Sequence, residues 1–144
     1  MNNRNIHADF LNVLKYKDQE LIDLYIGLRD YILSLYPESI ELLYHTHALT
    51  SVYSTSEKLG DAFCMIPIYT NHLNLGFNKG TLLNDETKLL QGTGKLIRHI
   101  PILKPEDYRN SNVQQLITSA IELSLTDRNH APKNTGITIS KIKT

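Results

Sequence analysis

The stretch from Asn71 to Leu103, NHLNLGFNKGTLLNDETKLLQGTGKLIRHIPIL, constrains the fold more than any other part of this chain. It holds four of the seven glycines and two of the six histidines, with an alternating apolar segment at each end. At its start Leu73, Leu75 and Phe77 alternate with Asn74 and Gly76, the period of a strand with one face buried. Just upstream, AFCMIPIYT is a near-continuous apolar run of strand length, and only Asn71 and its neighbours can turn between the two. Strand, tight turn and strand predict an antiparallel hairpin. Pro67, which lacks a backbone donor, places its strand near an edge or a bulge.

The flanking segments supply the rest of a domain. Leu21, Leu24, Tyr25, Leu28, Ile32 and Leu35 recur at three- and four-residue steps, with Glu20, Asp23, Arg29 and Asp30 between them, which predicts an amphipathic helix. Pro37 ends it, and Gly27 permits a close approach by another element. Residues 39–54 turn to β-favouring types and read as one or two strands. TLLNDETKLLQ predicts a turn or two of helix capped by Asn84 or Asp85. Leu96 to Ile102 reads as a last strand, with Ile97, His99 and Pro101 on one side and Arg98 on the other. A second helix is expected from Pro105 and Glu106, with Tyr108, Val113, Leu116, Ile117, Ala120, Ile121 and Leu125 on its apolar side. The polar tail carries an alternation of Ile137 with Ile139 that suggests an added strand, on its own sheet edge or against a second copy.

Helix, several hairpin-linked strands and helix imply a single α+β domain: an antiparallel-dominated sheet of five or six strands with its helices on one face. Its core is expected over about residues 10–125, with 126–144 a polar extension. A chain of 144 residues that is 41% hydrophobic can bury such a core unaided. Its 15 basic and 15 acidic residues cancel, so no field of one sign draws it to nucleic acid or an anionic membrane. The single cysteine, Cys64, excludes an internal disulfide and fits a reducing, cytoplasmic setting. MNNRNIHADF lacks the apolar run of a secretory leader, and no run approaches the length of a membrane span.

Taken together, HLNLGFNKG, TLLND and LLQGTGKLIRHIPI resemble a small bacterial family called YdhG-like, a domain of unknown function with a frataxin-like α+β sheet and helices. The similarity runs upstream through ALTSVYSTSEKLGDAFCMIPIY and more loosely through the helix ending in Tyr36-Pro37. The matching positions are Asn74, Leu75, Phe77, Gly80, Asp85, Gly92, Gly94, Lys95, Arg98 and His99. The chain departs from the family pattern at Glu86 and Thr87, and at His47, where an asparagine is usual. Some relatives are linked to iron handling, so the resemblance implies a metal-handling alternative.

GTGK invites comparison with a phosphate-binding loop, but Leu89 stands where a P-loop needs its first glycine and Leu96 follows Lys95. A nucleotide triphosphatase is thereby excluded. What remains is exposed backbone at Gly92 to Gly94, with Lys95, Arg98 and His99 close by and Asn74 as a polar neighbour, suited to a small carboxylate or phosphate. As strand neighbours, Arg98 and His99 face opposite sides and cannot both serve one site without a bulge. His45 and His47 have metal-ligand spacing on a strand, and Cys64 or His72 could complete a site for zinc or iron. Asp18, Glu20, Asp23 and Asp30 on the first helix are interleaved with basic and apolar residues and make a solvated face, not an acidic ridge. Cys64 itself reads as an inert core thiol.

The expected function is a non-catalytic binding domain for a small anionic molecule or a protein partner, with no resident cofactor. Iron or zinc handling, and self-association as a homo-oligomer, are the alternatives.

Overall fold

A computed structural model describes residues 4–143. The elements, in chain order, are helices α1 (Ala8–Leu14) and α2 (Gln19–Leu35), strands β1 (Ile40–His45), β2 (Leu49–Ser54), β3 (Ala62–Ile68), β4 (Leu73–Phe77) and β5 (Arg98–Ile102), helix α3 (Ser111–Asp127) and strand β6 (Thr138–Ser140). They form one six-stranded sheet in the order β5-β4-β3-β2-β1-β6, antiparallel except for the β1–β6 pair. All three helices lie on one face. This is the α+β class that the order of elements implies.

Helix α2 forms where the 3.6-residue apolar period lies and stops at Tyr36, before Pro37. It buries Leu21, Tyr25, Leu28, Ile32 and Leu33, and Phe10 of α1 stacks on Tyr25 with ring centroids 5.0 Å apart. Each such fully buried side chain contributes about 1.5–3 kcal/mol. Gly27 does permit a close approach: a Cβ there would lie 2.5 Å from the Tyr108 hydroxyl. Helix α3 begins later than Pro105 suggests. Pro105–Asp107 is a separate short turn, and Asn110 caps the helix proper by accepting from the Val113 amide at 2.9 Å.

The β3–β4 hairpin is present, but β3 is third from the β5 edge and fourth from the β6 edge, so it lies inside the sheet and not at its edge. Pro67 sits one residue from its end, and the bulge falls instead at Phe63, where Tyr53 pairs Cys64 and Ser54 pairs Ala62. The extra residue turns the Phe63 ring to the helix side, edge-on to Tyr36 at 6.0 Å. No helix forms over residues 83–91.

The tail supplies β6 on the chain's own sheet edge. It leaves α3 on the helix side and is held in turn by Arg128 to the Thr55 carbonyl, the Lys133 amide to Glu57 and the Gly136 amide to the Glu38 carbonyl. That path brings it round to the start of β1, so it runs beside β1 in the same direction. Gly136, at φ +68°, makes the final turn.

Candidate functional site

Register decides which candidate residues can meet. Gly76 pairs His99 and Asn74 pairs Pro101, so these four share the face away from the helices. Arg98 pairs Phe77 and faces the helix side. The separation of Arg98 from His99 expected from strand alternation therefore holds, while Asn74 and His99 do lie on a common face.

The loop between β4 and β5 is shaped by Gly80, Asp85, Gly92 and Arg98. Gly80–Leu82 is a short turn, and a Cβ on Gly80 would collide with the Cβ of Arg98 and come within 3.0 Å of its backbone nitrogen. Asp85 accepts from the amides of Leu89 and Leu90 at 2.9 and 2.8 Å, tying off the next turn, in which Lys88 adopts φ +55°. Gln91 and His99 then exchange two backbone hydrogen bonds of 2.8 and 2.9 Å. Gly92 has φ +129°, a conformation open to glycine.

Inside the closed loop every carbonyl from Gly94 to Ile97 accepts a hydrogen bond. Arg98 Nη1 donates to the carbonyls of Gly94 and Ile97, Thr81 Oγ1 to that of Lys95, and the Thr81 amide to that of Leu96. The amides of Gly92, Thr93, Gly94 and Lys95 make no hydrogen bond among the described residues, and all four residues are exposed. Lys95 precedes β5 in a bend, so strand alternation does not set its direction. Beside this loop lies a concavity of about 290 Å³ lined by Gly80, Thr81, Leu83, Asp85, Leu90 and Arg98. The arrangement thus joins amides without a partner among the described residues and two cations, one of them held in place by the loop it braces.

Gly80 gives a direct check on that brace. Gly80→Ala is expected to cost about 1–3 kcal/mol, because the new methyl meets backbone and Cβ atoms that cannot swing aside. Chemical denaturation measures it. A loss within ~0.5 kcal/mol, the range of an unremarkable surface change, would refute the close packing of turn and strand.

The metal candidates do not assemble. His45 ends β1 and His47 lies in the following turn, both exposed, so they are not two positions of one strand. Cys64 is fully buried under the helices, and burial pushes its thiol well above its ordinary range, as befits an inert core residue. His72 stacks on Tyr69 at 4.7 Å and meets Asn71. A concavity of about 500 Å³ that shares no lining residue with the glycine loop opens between the start of α2 and the β3–β4 turn. Asp18 and Glu20 line it with His72. Among the described residues no three His, Cys, Asp or Glu side chains come together to hold an ion.

Two polar clusters escape a reading by spacing. In the first, Arg29 and Glu41 form a buried two-point ion pair, Nε to Oε2 at 2.7 Å and Nη2 to Oε1 at 3.0 Å. Tyr53 and Thr138 also donate to Glu41, and Ser51 links Tyr53 to Tyr25. Arg29 further holds the carbonyls of Arg4 and Asn5. Burial alone would lower the Arg29 pKa, but the hydrogen bond and charge of Glu41 outweigh it and hold the guanidinium above its ordinary value. Arg29 is therefore not part of a solvated helix face; its place four residues after Tyr25 was the available signal. In the second, Ser56 donates to Asp61 Oδ2 at 2.6 Å while His130 Nδ1 lies 3.6 Å from the same oxygen. The hydroxyl proton is on the carboxylate side and not shared with the imidazole, so this is no Ser–His–Asp relay.

No helix among the described residues is long and apolar enough to cross a membrane. Compared with protein-family models, curated proteins and solved structures, the chain finds no match in any of the three.

Proposed function

We propose that the chain is a YdhG-like, cytoplasmic, non-catalytic binding domain that takes a small anion on the loop from Gln91 to Arg98. The observation that supports this is the polarity of the loop: the carbonyls from Gly94 to Ile97 bond Thr81 and Arg98, while the amides of the four exposed residues 92–95 have no partner among the described residues. Backbone amides so arranged, next to a cation, favour a carboxylate or phosphate group. Binding is weak and local, since the chain as a whole is neutral.

Lys95→Glu is the decisive variant. Thr81 bonds the backbone oxygen of residue 95, so the substitution reverses the charge without removing a loop contact. Inorganic phosphate, added at about 100 times its Kd, is expected to stabilise the wild-type chain by about 2.7 kcal/mol. The thermal midpoint of Lys95→Glu should not respond. Equal shifts in the two proteins, or none in the wild type with phosphate, sulfate or acetate, would sink the proposal.

A further inference from the structure

The concavity beside the glycine loop carries charge of both signs. Arg98 and Asp85 both line it, both half-buried, and no ion pair joins them among the described residues. Each is fixed by backbone instead. Arg98 donates to the carbonyls of Gly94 and Ile97 through Nη1 alone, so its Nε and Nη2 hydrogens have no partner among the described residues. Asp85 accepts the Leu89 amide on Oδ1 and the Leu90 amide on Oδ2. A carboxylate has about four acceptor positions, so it keeps capacity for a further donor. Two opposite charges held in one concavity without pairing leave each available to a ligand. Leu83 and Leu90, which pack against the main core, make part of the same lining apolar.

We infer that the site takes a zwitterion, an α-amino acid with an apolar side chain, with its carboxylate on Arg98, its ammonium on Asp85 and its side chain against Leu83 and Leu90. This rests on the anion reading above and names the class of anion. A simple anion gains Arg98 but shares the concavity with the Asp85 carboxylate, and like charges in a partly desolvated site repel. A simple cation meets the reverse penalty from Arg98. A molecule with both charges meets neither, and the neutrality of the whole chain is no obstacle to it. At about 290 Å³ the concavity lies just below the ~300–1,000 Å³ of pockets for drug-sized ligands, which suits a molecule of fewer atoms. Neither charge is free to swing away. Arg98 is tied to the loop at 2.6 and 2.8 Å and Asp85 to the turn at 2.9 and 2.8 Å, so little side-chain freedom is lost on binding.

Ligands that lack one charge test this on the wild-type chain, with no variant that has to fold. Calorimetric titrations would compare leucine with isocaproate, which is leucine without its ammonium, and with leucinamide, which lacks the carboxylate. Leucine is expected to bind at least about tenfold more tightly than isocaproate, through the charge-assisted bond to Asp85, and leucinamide should give no measurable binding. Asp85→Asn retains an acceptor for a loop amide and should erase the preference for leucine, with isocaproate bound no more weakly than before. Isocaproate binding as tightly as leucine overturns the inference and leaves the anion reading standing. So does a response to inorganic phosphate without one to leucine. Silence from leucine, isocaproate and phosphate alike removes both. A preference for leucine that persists in folded Asp85→Asn also overturns the inference, because the ammonium would then be held elsewhere.

Discussion

Arg29→Ala is expected to lower the stability of the chain by about 3–5 kcal/mol, against the ~5–15 kcal/mol that a folded domain commonly has. The loss has two sources. Glu41, 1% exposed, keeps the hydroxyls of Tyr53 and Thr138 but loses both guanidinium bonds, and a carboxylate so enclosed cannot recover its hydration. The carbonyls of Arg4 and Asn5 lose their donors too, which loosens the segment before α1. Replacing both partners removes the uncompensated charge, so Arg29→Met with Glu41→Leu should recover most of the loss. Urea unfolding of the wild type, the single and the double variant measures both effects. A single-variant loss under ~1 kcal/mol, the worth of an exposed pair, would show that water reaches Glu41 and that the pair is not sealed. The network's partners come from α2, β1, β2, β6 and the N-terminal segment. Its work is to fix how both ends of the chain close over the sheet.

How much of this could be read from residue order depends on whether the controlling interaction is local. The stop of α2 at Pro37, the β3–β4 hairpin and the opposite facing of Arg98 and His99 follow from backbone geometry and period, and all are present. The errors come where a distant or competing partner wins. Leu82, Leu83, Leu89 and Leu90 have helical spacing, but the Asp85 carboxylate takes the amides of Leu89 and Leu90 and ties a turn instead. Pro105 looks like a helix start, yet Asn110 caps the helix that forms. Arg29 reads as solvated because charge usually is; only the crossing of α2 over β1 brings it to Glu41. The anion-loop residues were legible as a group, but not that Gly80, Asp85 and Arg98 act on one another inside the loop. A local period also cannot choose the parallel pairing of β6 with β1, which follows from the route of the tail. That β3 is buried on both faces was legible too, since AFCMIPI is apolar at both parities.

The same buried network makes stability sensitive to alkali. Tyr25 and Tyr53 are both fully buried, and burial first, then the negative charge of Glu41, raises their phenol pKa values above the ordinary 10.0. Below that value both tyrosines are protonated in the folded and the unfolded chain, and they add no pH dependence. Above it the unfolded chain releases protons that the folded chain still binds, so stability falls as pH rises. The slope approaches about 1.4 kcal/mol per pH unit for each tyrosine well above pH 10, and the two together cost ~2 kcal/mol between pH 10 and 11. Cys64 acts in the same direction from about pH 9, where an unburied thiol ionises. Partial burial raises Tyr31, Tyr36 and Tyr44 as well, steepening the fall. Urea midpoints at half-unit steps from pH 8 to 11, converted to free energies, would trace the curve. Tyr25→Phe and Tyr53→Phe separate the contributions, and the slope above pH 10 is the quantity to compare, because Tyr53→Phe also removes a hydrogen bond to Glu41 at every pH. Each variant should flatten that slope by about one tyrosine's share. Slopes unchanged from the wild type would mean that both phenols ionise freely in the folded chain, which a sealed network beside Glu41 does not allow.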